Sequence, residues 1–472
     1  MEKLADKKVL VLGLGETGLS LVRWLVAQGA SVRVADSREQ PPAMQEVRTN
    51  FPQVAVHCGA FRDEIFGNVD LIAISPGISL HEPCVLRAAA RGIPIVGDVE
   101  LFAQSLFAQS LFSGSLFSGS LPQKNRPKLI AITGSNGKTT VTSLVEDLCQ
   151  AAGKDVMAAG NISPAVLDAT MQRGAAQPEV WALELSSFQL ETTHNLNANA
   201  ATVLNISQDH LDRYASMDDY AAAKARIFIG CDVQVLNRDD VRSISMAQPG
   251  CKIVTFGLNL PDAENDFGIE RAAQHIWLVQ GRQRLLKASE LPLTGLHNVA
   301  NALAAVALCR AIDLPMQPLL DALRTFKGLP HRVQHVAEIN GVTYYDDSKG
   351  TNVGATVAAL QGLGRKAVLI AGGEGKNQDF APLKPAVAQH ARAVLLIGRD
   401  APLIGAALSG SGVEVVHARD MRDAVQQASR LAHRGDAVLL SPACASFDMF
   451  RNYVHRAEVF IAEVLALKGA NA

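Results

Sequence analysis

The residues with the clearest chemical potential lie in one short stretch, Ile130-Ala-Ile-Thr133-Gly134-Ser135-Asn136-Gly137-Lys138-Thr139-Thr140. An apolar run ends at Thr133, a Gly-rich turn follows, and Lys138 opens a segment of helical character. A strand, a tight turn and a helix N-terminus gather backbone N–H groups and the positive end of a dipole, which suits a phosphate. Lys138 is then expected to reach the β/γ-phosphates, and Thr139 or Thr140 to hold Mg2+. Ile132 stands where G-x-x-x-x-G-K-[ST] has its first glycine. An ordinary αβ turn with a basic residue is the competing reading of this segment taken alone.

Other polar residues follow strands in the same way. Val9 to Leu12 reads as a strand, Gly13-Leu-Gly15-Glu16-Thr17-Gly18 as a Gly-rich turn and Leu19 to Gln28 as a helix, with a second strand from Ser31 ending at Asp36. That is a G-x-G-x-x-G pattern with a later acidic residue, as in dinucleotide-binding turns, although Gly18 can serve close helix–strand packing alone. Ser75-Pro76-Gly77 turn sharply after the strand Val69 to Ile74, at the strand end where open α/β sheets bind ligands. Glu184, in the strand Val180 to Leu185, is a Mg2+-ligand candidate or a polar residue at a sheet end. His210 follows the strand Ala201 to Ile206 as a metal ligand or a loop cap. Lys224 sits among alanines in a helix from Tyr220 to Ile229 and reads by default as solvated. Asn298 either caps the helix running to Leu308 or turns its amide to a base edge. Nearer the end, Asp346-Asp347-Ser348-Lys349, Gly372-Gly373-Glu374-Gly375-Lys376 and Ser441-Pro-Ala-Cys444-Ala-Ser446 each follow a strand.

These groups must be held by several α/β units. A chain of 472 residues exceeds what one hydrophobic core supports, and 48% apolar residues with 37 glycines fit many tight βα connections. The expected division is 1–100, a linker at 101–127, a central unit at 128–325 and a last unit at 326–472. The linker holds four tandem units, LFAQS, LFAQS, LFSGS and LFSGS, at 101–120. A period of five matches neither helix nor strand, so this reads as an expanded linker, with a docking motif as the alternative. Its Ala/Gln units can extend a helix begun near Val99, which the Gly/Ser units would weaken. Net charge is -2, which argues against nucleic-acid or anionic-membrane binding. The seven cysteines show no C-x-x-C pair and suit buried thiols in a reducing compartment. Val9 to Leu14 reads as a first strand and not a signal peptide, and no apolar run is long enough to span a membrane.

Together these strings resemble the Mur ligase family of ATP-dependent amide-bond-forming enzymes. The carrying strings are 133–140, Glu-Leu-Ser-Ser-Phe-Gln-Leu at 184–190, Asn-Ile-Ser-Gln-Asp-His-Leu-Asp at 205–212 and His-Asn-x-x-Asn at 297–301. In the last unit they are Leu-Pro-His-Arg at 329–332, Asp-Ser-Lys-Gly-Thr-Asn at 347–352, Gly-Gly-Glu-Gly-Lys at 372–376 and Ser-Pro-Ala-Cys-Ala-Ser-Phe-Asp at 441–448. The resemblance covers the whole length except the repeat. It implies an α/β protein of three domains: a Rossmann-like N-terminal domain for a UDP substrate, a central P-loop-type ATP-binding domain and a Rossmann-like C-terminal domain for the amino acid and nucleotide.

The same resemblance assigns roles. Lys138 and Thr139 would hold ATP phosphates and a Mg2+, within a turn formed by Gly134, Ser135, Asn136, Gly137 and Thr140. Glu184 and His210 would be Mg2+ ligands. Lys224 would carry a carbamate that helps place a second Mg2+, against the solvated reading. Asn298 and Asn301 would face adenine, and Arg332 and Asp347 the ribose–phosphate side. Gly15, Glu16, Thr17, Ser37, Arg38, Ser75 and Gly77 would hold UDP, displacing the NAD reading. Asn161 and Ser186 would line the reacting end of UDP-N-acetylmuramoyl-L-alanine. Lys349, Thr351, Ser446 and Phe447 would form a D-glutamate pocket, with Lys376 beside it. The implied reaction adds D-glutamate to the muramoyl substrate through an acyl phosphate, in a cytoplasmic monomer with ATP and two Mg2+ ions. Lys138, Glu184, His210, Lys224 and Lys349 would carry it. Gly350 stands where an alanine is frequent, and Ala457, after Arg456, where a glycine is usual. The rivals are a sibling ligase, a folylpolyglutamate synthase, a non-catalytic nucleotide-binding scaffold and an NAD-dependent oxidoreductase.

Overall fold

Short runs of aliphatic residues, each ended by glycine or a small polar residue, become parallel strands buried on both faces, the pattern such sheets require. A computed structural model describes residues 4–108, 126–293 and 295–470. The first sheet contains β1 (Lys8–Leu12), β2 (Ser31–Asp36), β3 (Ala55–Cys58), β4 (Leu71–Ile74) and β5 (Ile95–Val96). All are parallel, in the order β3-β2-β1-β4-β5. The second is nine-stranded, with β6 (Lys128–Thr133), β7 (Val156–Gly160), β8 (Val180–Glu184), β9 (Ala200–Val203), β10 (Val233–Asn237), β11 (Lys252–Phe256), β12 (Phe267–Ala272), β13 (His275–Gln280) and β14 (Gln283–Lys287). Its order is β14-β13-β12-β11-β10-β9-β6-β8-β7, and β12 to β14 are an antiparallel meander. The third has β15 (Gln334–Ile339), β16 (Val342–Asp346), β17 (Ala367–Gly372), β18 (Ala391–Ile397), β19 (Glu414–His417) and β20 (Ala437–Leu440), ordered β15-β16-β20-β17-β18-β19.

In each sheet the chain order reverses beside a strand that ends in a polar turn: β1 in the first, β6 in the second and β20 in the third. Such reversals leave a crevice at the carboxyl ends of the strands. The turns at Gly13–Gly15, Gly134–Gly137 and Ser441–Ser446 therefore each open onto a crevice.

Two helices differ from expectation. The segment read as linker from residue 101 begins as the last part of a helix, Asp98–Ala108. Leu101, Phe102 and Ala103 are buried, and Phe102 meets the Trp181 ring edge-on at 5.1 Å. The first Leu-Phe pair is thus core, because the central sheet supplies the apolar surface that local periodicity lacks. The repeat beyond Ala108 lies outside the described residues. The helix expected over Tyr220–Ile229 is instead Met217–Ala225, followed by a 3-10 turn at Arg226–Phe228. Among the described residues no helix is long and apolar enough to cross a membrane.

Candidate active site

The phosphate turn is braced from several sides. Gly137 has φ +83°, and a Cβ there would lie 2.6 Å from Asn301 Oδ1. Glycine therefore permits both the left-handed turn and the approach of Asn301. Ser135 N–H donates to Asn205 O and Asn136 N–H to Asn205 Oδ1, both at 2.9 Å. Lys138 Nζ curls back to donate to Gly134 O and Ser135 O at 2.9 and 3.0 Å. Burial pushes its amine below the usual lysine range, against the opposing charges of Glu184 and Asp209. Thr139 Oγ1 accepts from Arg332 Nη2 at 2.8 Å, and Thr140 is buried behind it. Ile132, at the missing glycine, is a fully buried residue of β6.

Glu184 ends β8 beside Gly160, whose positive φ and missing side chain let β7 close on it: a Cβ there would stand 2.3 Å from Glu184 O. Glu184 Oε1 accepts from Asn161 Nδ2 at 2.8 Å. Its Oε2 is buried and lacks a hydrogen-bond partner among the described residues. Such an oxygen is costly unless a cation or donor meets it.

Lys224 is 1% exposed, contrary to a solvated helix lysine. Its Nζ donates to Thr133 Oγ1 and Gly134 O at 3.2 and 3.0 Å and lies 4.7 Å from the centre of the Tyr220 ring. Burial, then the charge of Lys138, drives its pKa well below the ordinary value. His210 has φ +56°, and its ring meets Phe188 edge-on at 4.8 Å. Burial lowers its pKa, so the imidazole favours the neutral form that can donate a lone pair.

Among the described residues no three His, Cys, Asp or Glu side chains converge into a ready-made cation cage. Mg2+ does not need one, since it commonly takes one or two carboxylates and completes its sphere with water and substrate phosphates. The bare Glu184 oxygen and the hydroxyl of Thr139 are oxygen donors of the kind that requirement calls for.

Two cavities border this centre. One, of about 540 Å3, runs from Gly15, Glu16, Thr17, Ser37, Arg38, Ser75 and Gly77 to Asn161 and Gln189, joining the first unit to the central one. Within it Asp36 is already engaged: Arg38 holds it through two side-chain bonds of 2.8 and 2.7 Å, and Leu14 N–H donates to it at 2.6 Å. This corrects the NAD reading, because the carboxylate has its partners within the protein. Gly18 serves packing, since a Cβ there would fall 1.9 Å from Gly13 O, whereas nothing lies within 4 Å of one at Gly15.

The second cavity, of about 360 Å3, is lined by Asn136, Gly137, Asn298, Asn301, Arg332 and Asp347, with Lys349 at its edge. Asn298 does not cap its helix, which starts at Leu296 after Gly295. Asn301 Nδ2 donates to Asn298 Oδ1 at 3.2 Å. Asp347 accepts from Ser441 Oγ at 2.6 Å, and burial raises its pKa to about 7. Lys349 Nζ lies 3.9 Å from the Tyr453 ring centre; burial and the neighbouring Arg332 charge lower its pKa, while Glu184 opposes them.

The remaining C-terminal residues are more dispersed. Lys376 lies close enough to His210 for its charge to disfavour the imidazolium. Thr351 is half-buried, Ser446 is buried, and Phe447 is 69% exposed. None of these four lines either cavity.

Residues that sequence reasoning passed over hold the frame. Arg456 is buried and donates to Ser348 Oγ, Ser348 O and Cys444 O at 3.0, 2.8 and 3.1 Å, pinning the turns after β16 and β20 together. Burial moves its pKa down to about 10. Arg213 donates to Gly77 O at 3.2 Å and stacks its guanidinium 4.4 Å from the Phe188 ring centre, strapping the first unit to the loop of His210. Asn352 Nδ2 donates to Asn136 Oδ1 at 2.9 Å, bringing the last unit onto the phosphate turn. Arg456 and Asn352 stood in or beside strings already singled out, but nothing local in those strings marked their partners.

Three family models match: Mur ligase MurD-like, N-terminal domain, over residues 7–97; Mur ligase middle domain, over 132–309; and Mur ligase, glutamate ligase domain, over 331–444. A relative from Thiobacillus denitrificans is 57% identical over 100% of this chain and 98% of its own length. One from Nitrosomonas europaea is 55% identical over 97% and 96%. Both carry the name UDP-N-acetylmuramoylalanine–D-glutamate ligase. Among solved structures, UDP-N-acetylmuramate-alanine ligase MurC from Thermotoga maritima shares the fold at a TM-score of 0.60 and 20% identity, covering 98% of this chain and 100% of that one. With three domain matches and full-length relatives at this identity, the chain belongs to the Mur ligase family.

Proposed function

We propose that the chain is an ATP-dependent ligase that adds D-glutamate to UDP-N-acetylmuramoyl-L-alanine through an acyl phosphate, releasing ADP and phosphate, in the cytoplasmic assembly of peptidoglycan precursors. The observation that carries it is that residues tied to Glu184 line two separate cavities. One runs from a diphosphate-type turn to Asn161, whose amide holds Glu184. The other is edged by Arg332 and Lys349, both of which feel the Glu184 charge. The names of the full-length relatives favour D-glutamate over other amino acids.

In this reading UDP lies on the N-terminal turn and the L-alanyl carboxylate reaches Asn161 and Ser186. ATP occupies the second cavity, with its γ-phosphate at Lys138. The substrate carboxylate attacks that phosphorus and ADP leaves. The amine of D-glutamate, held near Lys349, Thr351 and Ser446 with Phe447 and Lys376 alongside, then attacks the acyl carbon, and collapse of the tetrahedral adduct releases phosphate. Lys138 and Arg332 offset charge on the transferring group, the main demand of phosphoryl transfer. Mg2+, held by Thr139, Glu184 and His210, supplies further charge neutralisation when bound. Lys224 deepens the reading: an amine kept neutral is the form that adds CO2, and its carbamate would give a second Mg2+ a negative ligand. Engagement of the domains around the acyl phosphate would exclude water. A monomer suffices, because one chain supplies both cavities.

The test is phosphate release from ATP with UDP-N-acetylmuramoyl-L-alanine and each of a panel of amino acids. D-glutamate alone should support turnover. Turnover with another amino acid would make the chain a sibling ligase, and none with any would leave a nucleotide-binding scaffold.

A further inference from the structure

Behind Gln189, which lines the first cavity, lies a buried carboxylate that the mechanism does not use. Asp98 opens the helix Asp98–Ala108 directly after Gly97, where the first unit joins the central one. It is fully buried, and its Oδ1 has no hydrogen-bond partner among the described residues. Its Oδ2 accepts from Gln189 Nε2 at 3.1 Å. The other end of that amide is also engaged: Gln189 Oε1 accepts from Ser186 N–H and Ser186 Oγ at 3.1 and 3.2 Å, while Gln189 N–H donates to Ser186 Oγ at 3.2 Å. This is a capping box at the helix Ser187–Glu191, and Gln189 also lines the first cavity.

In this capping box the Ser186 N–H requires Oε1 on the serine side, and Asp98 adds a second constraint behind the amide. Here an acceptor stands behind the amide. With Asp98 in place, Nε2 has its partner on the carboxylate and Oε1 must face Ser186. Reversed, the amide would set Nε2 against the Ser186 N–H, donor to donor, and Oε1 against the carboxylate, acceptor to acceptor.

We propose that Asp98 is a positioning residue that locks the Gln189 amide and through it the hydroxyl of Ser186, so that the helix entering the central unit orders the muramoyl end of the first cavity. This rests on the assignment of that cavity to the UDP-linked substrate. Because Asp98 directly follows the junction, any shift of the first unit that carries Asp98 with it is transmitted to Ser186 through one side chain.

The tests are steady-state kinetics of the full chain with ATP, D-glutamate and UDP-N-acetylmuramoyl-L-alanine varied in turn. Asp98→Ala removes the acceptor, and Gln189→Glu, which has the same shape, sets acceptor against acceptor only where both carboxyls are ionised, so its KM is read at pH 9, well above the Asp98 pKa of about 6. Each is expected to raise KM for the UDP substrate roughly ten- to a hundredfold, as for a buried polar group stripped of its partner, with KM for ATP within about twofold. The pair Asp98→Asn with Gln189→Glu restores donor to acceptor and should recover most of the loss. If Asp98→Ala does not fold, Gln189→Glu and its paired rescue decide. Unchanged KM for the UDP substrate in Asp98→Ala or Gln189→Glu overturns the proposal, as does a parallel rise in all three constants or a pair no better than Gln189→Glu. A wild-type chain with no D-glutamate-dependent turnover would instead remove the reading on which the proposal rests.

Discussion

Arg332 of the last unit donates a 2.8 Å hydrogen bond to Thr139 Oγ1, on the first turn of the helix behind the phosphate turn and 193 residues away in sequence. The guanidinium is half-buried, and desolvation lowers its pKa against the pull of Glu184 and Asp347. In the proposed reading the same hydroxyl holds a nucleotide-bound Mg2+, and release of this bond on nucleotide binding would leave the guanidinium facing phosphate. Arg332→Ala should lower kcat/KM for ATP by about two to three orders of magnitude. Arg332→Lys should recover only part, because a point charge lacks the planar fork. Kinetics at varied ATP and fixed saturating Mg2+ would check this; equal activity in Arg332→Ala would refute it.

Glu184 shows the opposite balance between stability and use. Its Oε2 is buried without a partner, so the folded chain gains little from that oxygen. Glu184→Gln keeps the shape and a partner for Asn161. It should melt at the same temperature or higher, while kcat falls at least about a hundredfold and more Mg2+ is needed for half-maximal rate. A matched loss of melting temperature and activity would point to a structural role instead.

Lys224 is predicted to react with CO2. Its amine is buried and held well below the ordinary lysine pKa by burial and the Lys138 charge, which favours the neutral amine that adds CO2. Protein equilibrated with 13C-labelled bicarbonate should show one carbamate carbon resonance, absent in Lys224→Met. Activity should fall in CO2-stripped buffer and return on adding bicarbonate. Without that resonance the carbamate assignment fails.

Much of the scaffold could be read directly, because a parallel strand buried on both faces must be an apolar run and must stop at a turn. The segments ending at Leu12, Thr133 and Leu440 were legible for that reason. Lys224 was not legible from its surroundings: Tyr220-Ala-Ala-Ala-Lys224 has no local mark of burial, and only the packing of its helix against the phosphate turn hides the amine. The Arg332–Thr139 and Asn352–Asn136 contacts are long-range, and nothing in either local string announces its partner. Phe102 misled for a related reason, since a five-residue repeat has no helical face of its own. The central sheet supplies the surface against which Leu101 and Phe102 bury.

His297 gives a pH dependence of stability. It lies beside Gly295 and Gly362, where added Cβ atoms would approach its ring to 2.8 Å, and its Nδ1 is buried without a hydrogen-bond partner among the described residues. Burial lowers its pKa from 6.5 to about 4. Between those values the unfolded chain binds a proton that the folded chain refuses, so stability is full above pH 6.5 and is lost as pH falls toward 4. The loss is on the order of 2–3 kcal/mol. Urea unfolding across this range should show a steeper acid slope for wild type than for His297→Gln; identical slopes would rule out this residue as the source.

Gly350 leaves room for the hydrogen bond between Asp347 and Ser441. A Cβ at this position would stand 2.5 Å from Asp347 Oδ2 and 2.9 Å from Ser441 Oγ, the two atoms that share a 2.6 Å hydrogen bond. An alanine must push the carboxylate off the serine or move the turn. The Ser441 bond is the leading influence that holds the Asp347 pKa down against burial, which has already raised it to about 7. Weakening that bond therefore raises the pKa further and leaves less carboxylate at neutral pH to face Arg332 and the nucleotide. Gly350→Ala is expected to shift the acid limb of kcat/KM for ATP to higher pH, with a severalfold loss at pH 7 that shrinks by pH 9. Lost folding stability should stay near 1 kcal/mol, the scale of one net hydrogen bond. Asp347→Asn should abolish that limb and make the Gly350 substitution nearly silent in its pH profile. If Gly350→Ala lowers activity equally at every pH, the alanine acts by moving the turn and not through the carboxylate.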